Sequence, residues 1–222
     1  MKKLRPFIKK YGHVLLPVIY GIFYMPAFAY LESRPIKRIH IIESSLDAYI
    51  PFCEYFIIPY LIWFAYIGIS VVLFMFLERK DYYRLCTMLG TGMTVFLLVS
   101  YLYPNGLHLR PTEFPRDNIF VDLVLILHRA DTATNVLPSI HCFNSLAVHA
   151  AIRKNKTLNQ VKWIRPLSAV ICLSVVLSTL FLKQHSIIDV LAACILFVAT
   201  YIPVYILSDV PAKKIVHGKL SH

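Results

Sequence analysis

Two short strings carry the chemistry this sequence offers: Pro138-Ser139-Ile140-His141 and His185-Ser186-Ile187-Ile188-Asp189. In each, a histidine stands where an apolar segment begins. Asp189 follows His185 by four residues, a spacing that puts both side chains on one helix face. A carboxylate in a membrane segment costs roughly 2.5–3.5 kcal/mol on insertion scales, so it needs a partner, and His185 is the nearest. By accepting the Nδ1 proton, Asp189 would leave Nε2 of His185 free as a base or nucleophile. A purely structural His–Asp hydrogen bond explains the spacing equally well.

His141 falls in the first turn after Pro138, where a missing backbone N–H does no harm and the free N–H groups favour an anion. Ser139 adds a hydroxyl at the same place. Arg110, followed by Pro111, is a permanently charged donor that binds phosphate through paired hydrogen bonds. Lys183 lies two residues before His185. Each of these alone is explained by a polar helix start, a headgroup contact or a salt bridge. Together, two histidines, an orienting carboxylate and nearby cations compose a site for phosphoryl transfer without a metal. Phosphomonoester hydrolysis is among the slowest uncatalysed reactions, and a covalent phosphohistidine would divide its barrier into two steps.

The elements that must position these residues are membrane helices. Of 222 residues 58% are hydrophobic, the mean hydropathy is +0.62, and 16% are charged, against about 25% in soluble domains. Apolar runs near the ~20 residues of a helical span recur and are too long for barrel strands. The expected fold is all-α, a six-helix transmembrane bundle forming one domain over residues 1–222. Its spans are placed at about 12–31, 52–77, 85–103, 138–152, 166–182 and 186–207. The fourth is short and carries Ser139, His141, Asn144, Ser145 and His149. Two crossings separate His141 from His185, so both return to one face.

Charge orients the bundle. With the N-terminus cytoplasmic, 16 of the 23 Lys and Arg fall on the cytoplasmic side, as the positive-inside rule requires. Without span 4 the basic cluster at 153–165 would lie outside. The N-terminus also resembles a signal peptide, with basic residues, an apolar run and Ala27-Phe28-Ala29; an uncleaved first span is the preferred reading. The tail 211–222 reads as a solvated cytoplasmic end. Segments 32–51 and 119–129 are too short to cross and are expected to lie over the bundle end or in the interface.

The net charge of +11 therefore reads as orientation and headgroup contact, with no nucleic-acid partner, since neither a phosphate loop nor an aromatic-basic motif is present. Cys53, Cys86, Cys142, Cys172 and Cys194 form no CxxC pair and read as small buried hydrophobes. A metal set of His141, His149, His185 and Asp189 is a weaker alternative, because His149 lies about two turns deeper than His141.

Arg110-Pro111, Pro138-Ser139-Ile140-His141 and His185-x-x-x-Asp189 resemble the three ordered motifs of the type 2 phosphatidic acid phosphatase (lipid phosphate phosphatase) superfamily. The motifs span about 105–190. The resemblance implies that His185 attacks phosphorus, Asp189 orients it, and His141 protonates the leaving oxygen. It further implies that Ser139 and Arg110 hold phosphate oxygens and that no cofactor is needed. Three positions depart from the pattern: Tyr103 stands where the family has lysine, Thr179 where it has arginine, and Ile140 where it has glycine. Lys183 or Arg116 would replace the missing cations. The Pro-Ser-Ile-His form is similar to the inositol phosphorylceramide synthase branch, which transfers a headgroup to a lipid alcohol.

The expected function is hydrolysis of a lipid phosphate or pyrophosphate at the outer leaflet of the plasma membrane. His141, His185 and Asp189 are its catalytic residues; Arg110, Ser139 and Lys183 bind phosphate. A lipid headgroup transferase is the alternative, and a non-catalytic transporter or scaffold the second. The identity of the lipid and the oligomeric state are not legible in the sequence.

Overall fold

The computed structural model of the chain describes residues 12–36 and 38–209. The expectations for the basic N-terminal stretch and for the tail 211–222 lie outside the described residues. Seven α-helices occur among the described residues: α1 (Leu15–Ser33), α2 (Ile57–Met75), α3 (Arg79–Leu102), α4 (Ile119–Ala130), α5 (Ile140–Lys154), α6 (Ile164–Phe181) and α7 (Ile187–Tyr201).

Five helical stretches are long and apolar enough to cross a membrane: Gly12–Ser33, Glu54–Met75, Arg79–Leu102, Ile164–Phe181 and Ile187–Asp209. They correspond to five of the six expected spans. Each leaves most of its surface uncovered, with residues such as Phe23, Ile69, Val170 and Ile195 exposed. A helix that is apolar all round and uncovered by protein is one built for hydrocarbon.

The expected fourth span is a different object. Helix α5 has 15 residues, about 22 Å of helix, against a hydrocarbon core of about 30 Å. Ten of those residues are buried, from His141 to Ile152. It packs on α3, α6 and α7 and also touches α2. Its polar composition, which weakens it as a lipid-facing span, suits a helix wrapped by others. The small residues Ala147, Ala150 and Ala151 let neighbouring backbones come close. Across from them Gly92 of α3 makes room for Phe143, since a Cβ at Gly92 would overlap the phenyl ring.

The end of the bundle that carries His141 and His185 is covered by the segments between helices. A two-residue strand β1 (His40–Ile41) runs parallel to β2 (Asn105–Gly106). Gly106 also bridges to Thr134, and a Cβ there would meet the Ala133 carbonyl at 2.7 Å. Helix α4 is capped by Asn118, whose Oδ1 accepts from the Phe120 and Val121 amides at 3.0 and 3.1 Å. It lays Val121 and Val124 inward, and Val124 joins a small core with Ile57, Tyr60 and Leu182. The larger core lies toward the other end and includes Phe74, Leu85, Met88, Phe143 and Val148. There Arg84 and Lys80 both pair with Asp209, at 2.6 and 2.7 Å.

Because Phe143 sits two residues from His141, crowding at Gly92 should disturb both stability and the site. Gly92→Val should destabilise the protein by about 1–3 kcal/mol, the usual cost of overpacking. Thermal unfolding in detergent checks this; an unchanged melting temperature would show that the α3–α5 contact is soft.

Candidate active site

The start of α7 is built by a capping box. Ser186 precedes the helix; its hydroxyl accepts from the Ile188 amide at 3.2 Å, and Asp189 Oδ2 accepts from the Ser186 amide at 2.9 Å. This pairing satisfies two of the N–H groups a helix start leaves free. The same Asp189 Oδ2 lies 3.3 Å from His185 Nδ1. With Oδ2 as the acceptor, as it is for the Ser186 amide, Nδ1 carries the proton and Nε2 presents its lone pair. Nε2 in turn lies 3.4 Å from Nδ1 of His141. Asp189, His185 and His141 therefore form one line, all three side chains buried.

His141 is held by its surroundings. Its ring lies against Tyr60 and Trp63 of α2, with centroids 4.6 and 4.4 Å away. The helix start beneath it is capped by Ser139, whose hydroxyl accepts from the Cys142 amide at 3.3 Å. The Ser139 amide donates to the Asp189 carbonyl at 3.3 Å, which ties the start of α5 to the start of α7. His149, the other histidine on this helix, bonds Ser168 at 2.9 Å instead.

The two cations expected in a phosphate cradle are engaged elsewhere. Arg110 Nη1 donates to the carbonyls of His128 and Asp131, at 3.3 and 2.8 Å. Its Nη2 donates to the Thr132 carbonyl at 3.0 Å and to Gln184 Oε1 at 2.7 Å. Lys183, at φ 58°, turns its Nζ onto the Asp47 carbonyl at 2.7 Å. Arg116 pairs with Glu54 at 3.5 Å. Thus His141, His185 and Asp189 converge, Ser139 adjoins them as a cap, and Arg110 and Lys183 brace the loops around them.

A cavity of about 490 Å³ opens beside the two histidines. Its apolar part lies between α1 and α2, which both pack on α3 and scarcely touch each other. Tyr24, Met25 and Phe28 line one side and Trp63, Phe64 and Ile67 the other. Met25 and Phe64 are also exposed, so the gap faces the surroundings of the bundle. The polar end holds His141, His185, Asn144, Gln184, Glu32 and Asp131. Among the described residues that line it there is no Lys or Arg. Burial pushes the Asp131 carboxyl above its ordinary pKa, with Arg110 and then His185 pulling the other way. Burial likewise lowers Arg110, opposed chiefly by Asp131.

Three residues that shape the site were not singled out from sequence. Asp47 is buried and takes the Ser186 hydroxyl at 2.6 Å, the Ile187 amide at 2.9 Å and the Ser44 amide at 2.7 Å. Its signal was the Ser44-x-x-Asp47 spacing, the same as Ser186-x-x-Asp189. Asn105, fully buried, accepts from the Val136 and Leu137 amides at 2.8 and 2.9 Å and so fixes the loop that leads into α5. An Asn-Gly pair marked a turn there but not its partner. Gln184 carried no sequence signal.

No family model, curated protein or solved structure matches this chain.

Asp47→Ala should leave two donors at the start of α7, the Ser186 hydroxyl and the Ile187 amide, and the Ser44 amide without an acceptor. The expected cost is about 3 kcal/mol, because buried donors left unpaired lose their desolvation energy outright. Denaturant unfolding of the detergent-solubilised protein measures it; a loss under ~0.5 kcal/mol would mean water replaces the carboxylate.

Proposed function

We propose that this chain is a membrane lipid phosphatase that hydrolyses a lipid phosphate or pyrophosphate through a phosphohistidine, with no metal. The observation that carries this reading is the line Asp189–His185–His141, whose two ring nitrogens face each other at 3.4 Å beside the cavity. The convergence of these three side chains supports the roles that the resemblance to the type 2 phosphatidic acid phosphatase superfamily implies.

In this reading Nε2 of His185 attacks phosphorus and the bond to the lipid oxygen breaks. His141 gives its proton to that oxygen, and Asp189 stabilises the cationic ring. In the second step water attacks phosphorus, the P–Nε2 bond to His185 breaks, inorganic phosphate leaves, and a proton of the water returns to His141. The apolar gap between α1 and α2 takes the hydrocarbon chain, and the polar end takes the phosphate. Helix α5 counts as the sixth, internal crossing. The basic clusters then put both termini in the cytoplasm and the site at the outer face of the plasma membrane.

The lining departs from a cationic cradle, and Asp131 faces the same polar end. An incoming phosphate raises the pKa of that carboxyl further, so substrate and protonated Asp131 coexist most readily. As pH rises through this raised pKa, the carboxyl ionises and repels the phosphate. Asp131→Asn should therefore lower KM for an anionic lipid phosphate, on the order of tenfold at the alkaline end and little at the acid end. Comparing variant with wild type at each pH cancels the ionisation of the substrate. A KM ratio independent of pH would remove Asp131 from the binding site.

His141→Ala, His185→Ala and Asp189→Asn should each reduce turnover by at least about 10²-fold while the protein still inserts. Wild-type rates in any two would defeat the assignment, and a functional membrane scaffold would remain. Labelled phosphate trapped on His185 is the direct test. Phosphate release by purified protein without added alcohol identifies a hydrolase; a strict requirement for a second lipid identifies the transferase similar to the inositol phosphorylceramide synthase branch.

A further inference from the structure

Gln184 stands immediately before His185, and it is only 3% exposed. It lines the polar end of the cavity beside the two histidines. Arg110 Nη2 lies 2.7 Å from one terminal atom of its carboxamide. A guanidinium has donors only, so that atom must be the oxygen, and the amide orientation follows from chemistry alone. The other end, Nε2, is buried and has no hydrogen-bond partner. Buried donors are nearly always paired, and an orphan beside a candidate active site calls for an explanation.

Arg110 is not among the described residues that line the cavity. Both terminal nitrogens of Arg110 are taken, by the carbonyls of His128, Asp131 and Thr132 and by Gln184 itself. The backbone sets Gln184 firmly too: its amide and that of His185 both donate to the Thr179 carbonyl, at 2.9 and 3.1 Å. A residue so restrained loses little freedom when it binds a ligand.

We propose that Nε2 of Gln184 is the oxyanion donor of this site. It hydrogen-bonds a non-bridging oxygen of the substrate phosphate, and it holds that oxygen through the trigonal-bipyramidal transition state formed on His185. Arg110 is then a positioning residue: it grips the carboxamide oxygen and aims the nitrogen, without touching the phosphate. The ligand class is the phosphoryl oxyanion of a lipid phosphate or pyrophosphate. This inference rests on the two-histidine phosphoryl-transfer reading and assigns its phosphate contact to a neutral donor.

The test uses the full-length protein in detergent and orthovanadate, which adopts the trigonal-bipyramidal geometry. Wild type should bind vanadate, and His185→Ala should not. Gln184→Leu should weaken vanadate about 10²-fold and lower kcat in proportion, the usual loss for one oxyanion donor. Gln184→Glu keeps a partner for Arg110 and replaces the donor by an acceptor; it should fold, with an unchanged melting temperature, and weaken vanadate at least as much. It decides the question if Gln184→Leu fails to fold. Arg110→Met should weaken vanadate, but not further once Gln184→Leu is present, because the two act in series.

Vanadate affinity within twofold of wild type in Gln184→Glu would overturn the proposal while leaving the histidine chemistry intact. Additive losses from Arg110→Met and Gln184→Leu would overturn the positioning role of Arg110. No vanadate binding by wild type would remove the phosphoryl-transfer reading, and this assignment with it.

Discussion

Asp189 joins the two helix starts on which the site depends. Its carboxylate takes the His185 ring and the Ser186 amide, and its carbonyl takes the Ser139 amide at the head of α5. One fully buried residue thus sets the tilt of one histidine and the distance to the other. A carboxylate in such a place is costly unless it is hydrogen-bonded on several sides. Both side-chain bonds fall on Oδ2, and Oδ1 is buried without a partner, so losing either bond leaves the group still less satisfied.

That constraint explains the covering layer. A helix start leaves N–H groups unpaired, and two of them meet at the histidine end. Asp47 reaches α7 from the segment after α1, and Asn105 reaches the loop before α5 from the end of α3. Arg110 gathers three carbonyls that no helix or strand uses. The short β1–β2 pair holds the segments carrying Asp47 and Asn105 beside each other. These polar residues do for the loops what the helical ladder does for the spans: they leave little backbone unpaired where water is scarce.

Hydropathy was enough to find five long helices, because each needs only its own composition. The charge count places 138–152 as a sixth span; in the structure α5 is a short helix that the others surround, and it is not among the five long enough to cross. The meeting of His141 with His185 was legible because it needs only two helices that run out and back between them, α5 and α6, and a helical period. The loops were not legible. Asp47 and Ser186 are 139 positions apart, and Arg110 and Gln184 are 74 apart; no local spacing announces such a bond. For the same reason Arg110 and Lys183 read from sequence as phosphate ligands, since a cation near a histidine looks alike whether it faces the cavity or a carbonyl behind it.

Under the proposed phosphatase reading, the placement of charge has a consequence for catalysis. A full cation in a cavity of low dielectric binds phosphate strongly in every state, substrate and product alike. Uniform tightening of that kind lowers KM without raising kcat, and it slows release of inorganic phosphate. A wall lined by neutral donors and acid groups binds the ground state weakly. In the proposed reaction it relies on charge that develops as the His185 ring becomes cationic against Asp189. Catalysis in such a site comes from the preorganised pair rather than from standing attraction for the anion. The cations serve better one layer back, where Arg110 can fix the shape of the cavity without trapping what is made in it.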